Sequence, residues 1–456
     1  MTLIIVLMLL LSYVMIATGH LTGVNKAAIA MFLAAIGWVV YICWGTDFVT
    51  ALHPGQYAEF LGGQQSTGQT VKNFIYDSIF LKYVGKAAAI VMYLLATMSI
   101  IEILNNNGCF DFISEWIRTR NPNRLLWTIT LATFILSANI DNVTTTIVML
   151  VIMRSIVKSR AQRMLIGSAI MLAAICGGCF TVIGDPTGLL LWANDAVTAT
   201  QFSAYLALPA LVAWVLPTML IGRQLPSRLD IEWSVAPYRG DDTRLNRWQR
   251  LLMLFVAIGG LWFVPTFLSI TRLPAFLGAL CVLSVLWVVN EAFNRKLDNA
   301  DQMLQRRIPR VIQYQALQQV LFVMGVMLGL GVVTETGVLT EVADWIDKVI
   351  DNLWVVGIVS GLVSSVVDSF MVAVTDISLY DVWNAGDYAR DGAYWKVIAY
   401  CTAVGGCLLS VGSVSGMALM KMEHIHLGWY LKNITPKVLV GFIVGLAILY
   451  VESILA

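Results

Sequence analysis

The chain has 456 residues, of which 58% are hydrophobic and only 12% charged, with a formal net charge of +1. A soluble domain needs far more charged surface, so this composition excludes the soluble classes and points to a multi-span membrane protein. A balance so near neutral gives no sign of a nucleic-acid partner, and none is expected.

Apolar segments long enough to cross a bilayer, roughly 17–25 residues each, recur along the chain. In order they are 2–18, 25–45, 84–106, 163–193, 202–222, 249–268, 274–292, 315–334, 395–420 and 437–455. The first, "TLIIVLMLLLSYVMIAT", has no basic leader and no small-residue cleavage site, so it reads as a retained helix. Two further apolar stretches, 124–153 and 353–375, behave differently from the rest. The expected class is an all-α polytopic protein with ten to eleven spanning helices.

The segment 163–193 closes on "GGCFTVIGDPTGLLLW", in which four glycines, an aspartate and a proline interrupt a membrane helix. A partner stretch, "GGCLLSVGSVSGMALM", begins 228 residues later at Gly405. "SANID" from Ser137 pairs with "SSVVD" from Ser364, and "GCFDFISEWI" from Gly108 pairs with "GVLTEVADWI" from Gly337. Three landmarks in one order and at nearly one offset predict a duplication, residues 1–228 and 229–456.

Loop charges supply the handedness, because Lys and Arg gather in short cytoplasmic loops. Arg118, Arg120, Arg124, Arg154, Lys158, Arg160 and Arg163 flank 124–153; six arginines lie in 223–250; Arg295, Lys296, Arg306, Arg307 and Arg310 follow. Residues 335–394 are acidic instead, with Glu335, Glu341, Asp344, Asp347, Asp351, Asp376, Asp381, Asp387 and Asp391 against Lys348 and Arg390. These signs agree if 124–153 enters and leaves on the cytoplasmic side and 353–375 does so on the outer side. Each is then a re-entrant hairpin, and 163–193 and 395–420 are broken helices. Inverted repeats whose broken helices meet at mid-bilayer mark secondary transporters.

The polar run "SANIDNVTTT" puts Ser137, Asn139, Asp141, Asn142, Thr144, Thr145 and Thr146 inside a membrane stretch. One central Asp costs roughly 2.5–3.5 kcal/mol on insertion scales, so it is kept for a cavity rather than for lipid. Carboxylate, amide and hydroxyl oxygens are the hard ligands an alkali cation takes. Asp185 and Thr187 join from the first break, Asp368 and Ser369 from the second hairpin tip, and Ser410, Ser413 and Ser415 from the second break. For Thr144, Thr146 and Ser410 a bond back to their own backbone is the plainer reading. Glu102 and Glu335 lie near helix ends, between site and solvated terminus.

Three acids, Asp141, Asp185 and Asp368, with no Lys or Arg in the apolar segments that form the site, favour a cation. Desolvation penalises a charged carboxylate, so sodium and a proton compete for it, and alternating access then yields antiport. No Walker loop is present and no cofactor is expected. His424 and His426, beside Glu423 and Lys421, and also Glu335, are candidates for sensing pH, although a solvated loop end explains the histidines as well. Cys176 and Cys179 form a C-x-x-C, but no second pair or nearby histidine completes a zinc set, and packing accounts for them.

With these residues in view, the chain resembles the NhaD-type sodium/proton antiporters of the ion transporter superfamily. The likeness runs from "GVNKAAIAM" at 23–31 to "EHIHLGWYLKNI" at 423–434. "LSANIDNVTTTIVM" is similar to that family's most distinctive motif, "IGDPTGLLLW" to its Gly-Asp-x-Thr segment, and "VIAYCTAVGGCLLSVGSVSGMALMKME" to its counterpart in the second half. The resemblance implies a homodimer in a bacterial cytoplasmic membrane, exporting Na+ or Li+ against entering protons. It carries ion-site roles onto Asp141, Asn142, Thr145, Asp185, Thr187 and Asp368. Two departures fall at that site: the second hairpin reads "DSFM" where the family has Asp-Asn-x-Pro, and Thr187 is followed by Gly188 rather than a second threonine.

A sodium-coupled dicarboxylate symporter or an arsenite-type exporter of the same superfamily is the alternative. An intramembrane aspartyl protease would need Gly-x-Gly-Asp, and Val182 stands two residues before Gly184.

Overall fold

A computed structural model of the chain describes residues 2–110, 119, 121–231, 245–294, 310–350, 352–383 and 385–455. The basic residues Arg118, Arg120, Arg239, Arg244, Arg295, Lys296, Arg306 and Arg307, the acidic Asp351, and the repeat landmark beyond Phe110 lie outside the described residues.

The membrane elements of the first half are α1 (Thr2–Ala17), α2 (Lys26–Trp44), α3 (Gly68–Asn106), α4 (Pro122–Ser137), α5 (Asn142–Ile156), α6 (Arg160–Cys179), α7 (Pro186–Ala193) and α8 (Ala199–Gly222). Those of the second half are α9 (Arg247–Thr271), α10 (Ala275–Asn294), α11 (Arg310–Thr334), α12 (Val338–Val349), α13 (Leu353–Val366), α14 (Ser369–Leu379), α15 (Ala393–Gly405), α16 (Val414–Glu423) and α17 (Thr435–Leu455). Among the described residues eight helices are long and apolar enough to span: α2, α3, α6, α8, α9, α10, the Leu317–Thr334 part of α11, and α17. Adding α1 and the broken α15–α16 makes ten.

Length and pairing together decide which elements turn back: they are short apolar helices joined in pairs through tips of four and two residues, which α1, also 16 residues long, is not. Helices α4, α5, α13 and α14 have 16, 15, 14 and 11 residues. At 1.5 Å per residue they reach about 16–24 Å, short of a hydrocarbon core of about 30 Å. Hence α4–α5 and α13–α14 are hairpins, turning at 138–141 and at 367–368. The continuous runs also break as expected, α6 from α7 across 180–185 and α15 from α16 across 406–413. Pro186 sits in the first turn of α7, where its missing N–H costs nothing.

The duplicated glycines let each broken helix lie against its hairpin. A Cβ on Gly177 would strike the Phe134 carbonyl oxygen of α4, and one on Gly405 would strike the Gly361 carbonyl oxygen of α13. Backbone must approach backbone here, which only glycine permits. Across the two halves, α5 packs on α16 through an apolar cluster of Val143, Ile147 and Ala418. Helix α11 lies along α2 and also touches α5 and α14.

Three features differ from the expectation. The span expected at 84–106 is the end of a 39-residue helix beginning at Gly68 and passing through a π-helical stretch, Ile75–Phe80. Lys72, Asn73 and Asp77 mask that start in a hydropathy reading. Short helices Thr46–Leu52 and Pro54–Leu61 precede it. The third is α12, amphipathic, burying Leu339 and Ala343 while Val342, Trp345 and Val349 are exposed. That pattern suits a helix lying in the membrane interface.

Candidate functional site

In the first half, Asp141 ends the hairpin tip and caps α5. Its Oδ2 accepts from the Thr144 backbone N–H at 2.9 Å and from the Thr144 hydroxyl at 3.0 Å. Its Oδ1 accepts from Gln319 Nε2 of α11 at 2.8 Å. Asp185 likewise caps α7, Oδ2 accepting from Thr187 N at 3.0 Å. Asn142 links the two acids, following Asp141 in the chain and donating from Nδ2 to Asp185 Oδ1 at 2.6 Å. Asp141 is 2% exposed, and among the described residues no Lys, Arg or His forms an ion pair with it or with Asp185.

Two buried oxygens beside Asp141 have no hydrogen-bond partner: Thr145 Oγ1 and Gln319 Oε1. Thr145 stands one helical turn from Asp141, so the two share a face of α5. Gln319 Oε1 belongs to the amide already bonded to that carboxylate. Buried polar atoms without partners are rare in folded proteins and mark places where an ion or water belongs.

Of the remaining first-half candidates only Ser137 braces this centre, helped by Thr181, which the sequence reading did not single out. The Ser137 hydroxyl donates to the Ala174 carbonyl of α6 at 2.5 Å, and Thr181 Oγ1 donates to the Ala138 carbonyl at 2.6 Å. Together they tie hairpin tip to helix break. Asn139 turns elsewhere, donating to the Ile135 carbonyl at 2.8 Å and accepting from the Trp262 indole of α9. Thr146 bonds back to the Asn142 carbonyl at 2.7 Å.

The second half repeats the caps with different chemistry. Asp368, 1% exposed, caps α14 through Phe370 N at 3.0 Å. Ser413 occupies the place of Asp185 and caps α16, its Oγ accepting from Gly416 N at 3.0 Å. The Ser369 N–H donates to the Gly412 carbonyl at 2.9 Å, joining the second tip to the second break. The hydroxyls of Ser410 in that break and of Ser415 in the first turn of α16 are buried without partners.

Here the charge count read from the sequence needs correcting. Lys26, at the first position of α2, is buried and its Nζ lies 3.2 Å from Asp368 Oδ2. The same ammonium donates to the Val367 carbonyl at 3.1 Å and the Val411 carbonyl at 2.9 Å. A cation at a helix N-terminus opposes the helix dipole, so those three acceptors are what hold it there. The site therefore contains a lysine, and Asp368 is not a free acid.

Two cavities approach this centre. One, about 660 Å³, is lined by Lys26, Gln319, Phe322, Met417, Lys421 and His426 among others. Its wall includes Gln319, which bonds Asp141, and Lys26, which bonds Asp368. It lies toward the basic face, where Arg154 and Arg163 pair with the buried Glu423, and Arg160 bonds the His424 carbonyl. The other, about 490 Å³, is lined by His53, Lys82, Tyr83, Met327, Glu335 and Asp381 among others, toward the acidic face. Both border α11, and from Phe322 to Met327 is five residues, about 7.5 Å of rise. Glu335 is held at the second cavity by His53 Nε2 at 2.7 Å and the Tyr83 hydroxyl at 2.9 Å. His424 and His426 are exposed.

This frame of hairpins and breaks matches known proteins. The family model described as CitMHS, citrate transporter, matches residues 1–382. The chain belongs to this family. It is a transporter, and its apolar helices make it a multi-pass membrane protein. Sodium/proton antiporter 2 of Arabidopsis thaliana is 28% identical over 438 residues, covering 96% of both chains. Sodium/proton antiporter 1 of the same plant is 30% identical over 371 residues, which is 80% of this chain; the match spans 62% of that relative's length. The Na(+)/H(+) antiporter NhaD of Vibrio cholerae is 25% identical over 416 residues, 84% of this chain and 82% of its own. The likeness to NhaD-type proteins read from "LSANIDNVTTTIVM" and "IGDPTGLLLW" thus holds across the chain. The solved YdaH transporter of Alcanivorax borkumensis shares the fold, with a TM-score of 0.60 at 11% identity over 94% of this chain and 98% of that one.

Three further residues of this transporter's site region escaped the sequence reading: Lys26, Gln319 and His53. The first two left a signal. Lys26 opens an otherwise apolar span just after its N-cap Asn25, and Gln318-Gln319 interrupts the apolar run 315–334. His53, beyond the end of α2, left none.

Proposed function

We propose that this transporter exchanges Na+ or Li+ from the cytoplasm for external H+ by letting the two ions compete at Asp141 and Asp185. The carrying observation is the pair of orphan oxygens, Thr145 Oγ1 and Gln319 Oε1, beside a buried carboxylate with no cationic partner among the described residues. A dehydrated alkali ion needs several oxygens and one compensating charge, which these groups and Asp141 supply. A proton on the carboxylate removes that charge, so each ion displaces the other, and no cofactor is needed. The names of the plant and Vibrio relatives support the choice of ions.

On this reading the 660 Å³ cavity is the cytoplasmic approach and the 490 Å³ cavity the external one. Glu335 with His53 meets protons at the outer mouth, and His426, with His424 behind it, lies at the inner one. The units 1–228 and 229–456 act as inverted repeats that rock about the shared helix α11. The working assembly is a homodimer in the bacterial cytoplasmic membrane, its lipid-facing surface including the exposed aromatic residues of α9.

A sodium-coupled carboxylate symporter is the second reading, favoured by the family's citrate description and by Lys26 on the cavity wall. The ammonium speaks against it. It has three N–H donors, and all three have protein acceptors, leaving none for a substrate carboxylate.

The deciding experiment is reconstitution into liposomes with an acidic lumen and an internal pH dye. Added Na+ or Li+ should alkalinise the lumen without any organic anion. Silence across the neutral to alkaline range, or a response only with citrate present, would overturn the antiport reading.

A further inference from the structure

In the second half-site, three oxygens converge that a small cation would choose. They are Asp368 Oδ2, the Val367 carbonyl just past the end of α13, and the Val411 carbonyl in the unwound segment between α15 and α16. Helix C-terminal carbonyls and unwound backbone are the usual cation ligands of broken-helix transporters. Lys26 Nζ sits among them at 3.2, 3.1 and 2.9 Å respectively. Asp368 is matched by position to Asp141, and no ammonium enters the first-half set among the described residues.

We propose that Lys26 is a tethered cation filling the second half's ion position, and that this position is a latent Na+ or Li+ site which opens when the ammonium is removed. The inference takes its ion class from the antiport reading. The native chain then binds free ions through its first half only, and the ammonium holds the second tip and break together while the first half loads and empties. The lining of the 660 Å³ cavity includes Lys26, so the vacated position would be reachable from solution. A methionine in its place would leave an acid and two carbonyls without their cation, with the partnerless hydroxyls of Ser410 in the break and Ser415 in the first turn of α16.

The test is saturation binding of radiolabelled Na+ to the full-length purified protein, with size-exclusion and thermal unfolding as controls for folding. Lys26→Met should bind one more Na+ per chain than the native protein. Asp368→Asn should bind the native number, and so should the double variant. No gain in a monodisperse Lys26→Met, or one ion fewer in Asp368→Asn, would overturn the proposal. If Lys26→Met does not fold, the Asp368→Asn count decides alone. The readout needs no transport: a native chain that binds no Na+ sinks the antiport reading, whereas the difference between Lys26→Met and native remains legible.

Discussion

The two hairpins end on the same device and meet different partners. Each places an aspartate at the N-cap of its returning helix, against a broken helix whose second part is capped by a short polar side chain. Asp141 meets an amide, Gln319, which brings no charge, and the nearby Thr145 Oγ1 and Gln319 Oε1 are buried without partners. Asp368 meets an ammonium, which cancels that charge. Caps and breaks are therefore scaffold common to both halves. What differs between the halves is the residue that a distant helix brings to the tip.

Asp141→Asn is the sharpest way to break the comparison. It keeps a capping side chain and removes the charge, and Na+-driven alkalinisation in liposomes should fall by about two orders of magnitude or more. Native-like exchange would show that Asp141 is as uninvolved as a paired Asp368. Asp368→Asn should act on stability first, because it strands a buried ammonium, at a cost of about 3–5 kcal/mol. Thermal unfolding should register that loss, and Lys26→Met with Asp368→Asn should recover most of it. A single variant as stable as the native chain would mean the pair is not what holds the second tip.

Gln319→Leu sharpens the first-half claim with a smaller effect. Losing one donor and one orphan oxygen should lower apparent Na+ affinity about tenfold, with the maximal exchange rate little changed. An unaltered ion titration would remove Gln319 from the site. Gly177→Ala and Gly405→Ala test the shared scaffold, and each should destabilise by a similar amount, about 1–3 kcal/mol. A large loss at one and none at the other would show that the halves do not pack alike. The smallest effect is expected for Ser413→Ala, about 1 kcal/mol of lost cap without a change in ion affinity. Asp185→Asn should instead weaken Na+ binding.

Much of the frame was legible in the sequence because hydrocarbon imposes simple rules. A segment either is long and apolar or it is not, and "IGDPTG" and "SVGSVSG" cannot continue a helix. Loop charges separated the two hairpins from the spans, and the paired "GGC" stretches marked the two breaks, while the glycine contacts with Phe134 and Gly361 came only with the structure. Asp141, Asn142 and Asp185 were legible for a similar reason, since polar groups that costly in lipid need a polar setting. The extension of α3 to Gly68 was not, because its polar residues look like a loop once their neighbours are unknown.

The sequence by itself determined most of the apolar spans and where the helices break, since both depend on local composition and on the cost of unpaired backbone in lipid. Only the tertiary structure decided the charge of each half-site. Lys26 lies 342 residues from Asp368, and Gln319 lies 178 from Asp141. No local pattern encodes which distant helix packs against a tip, and electrostatics inside a membrane depends on the few ångströms that such packing sets.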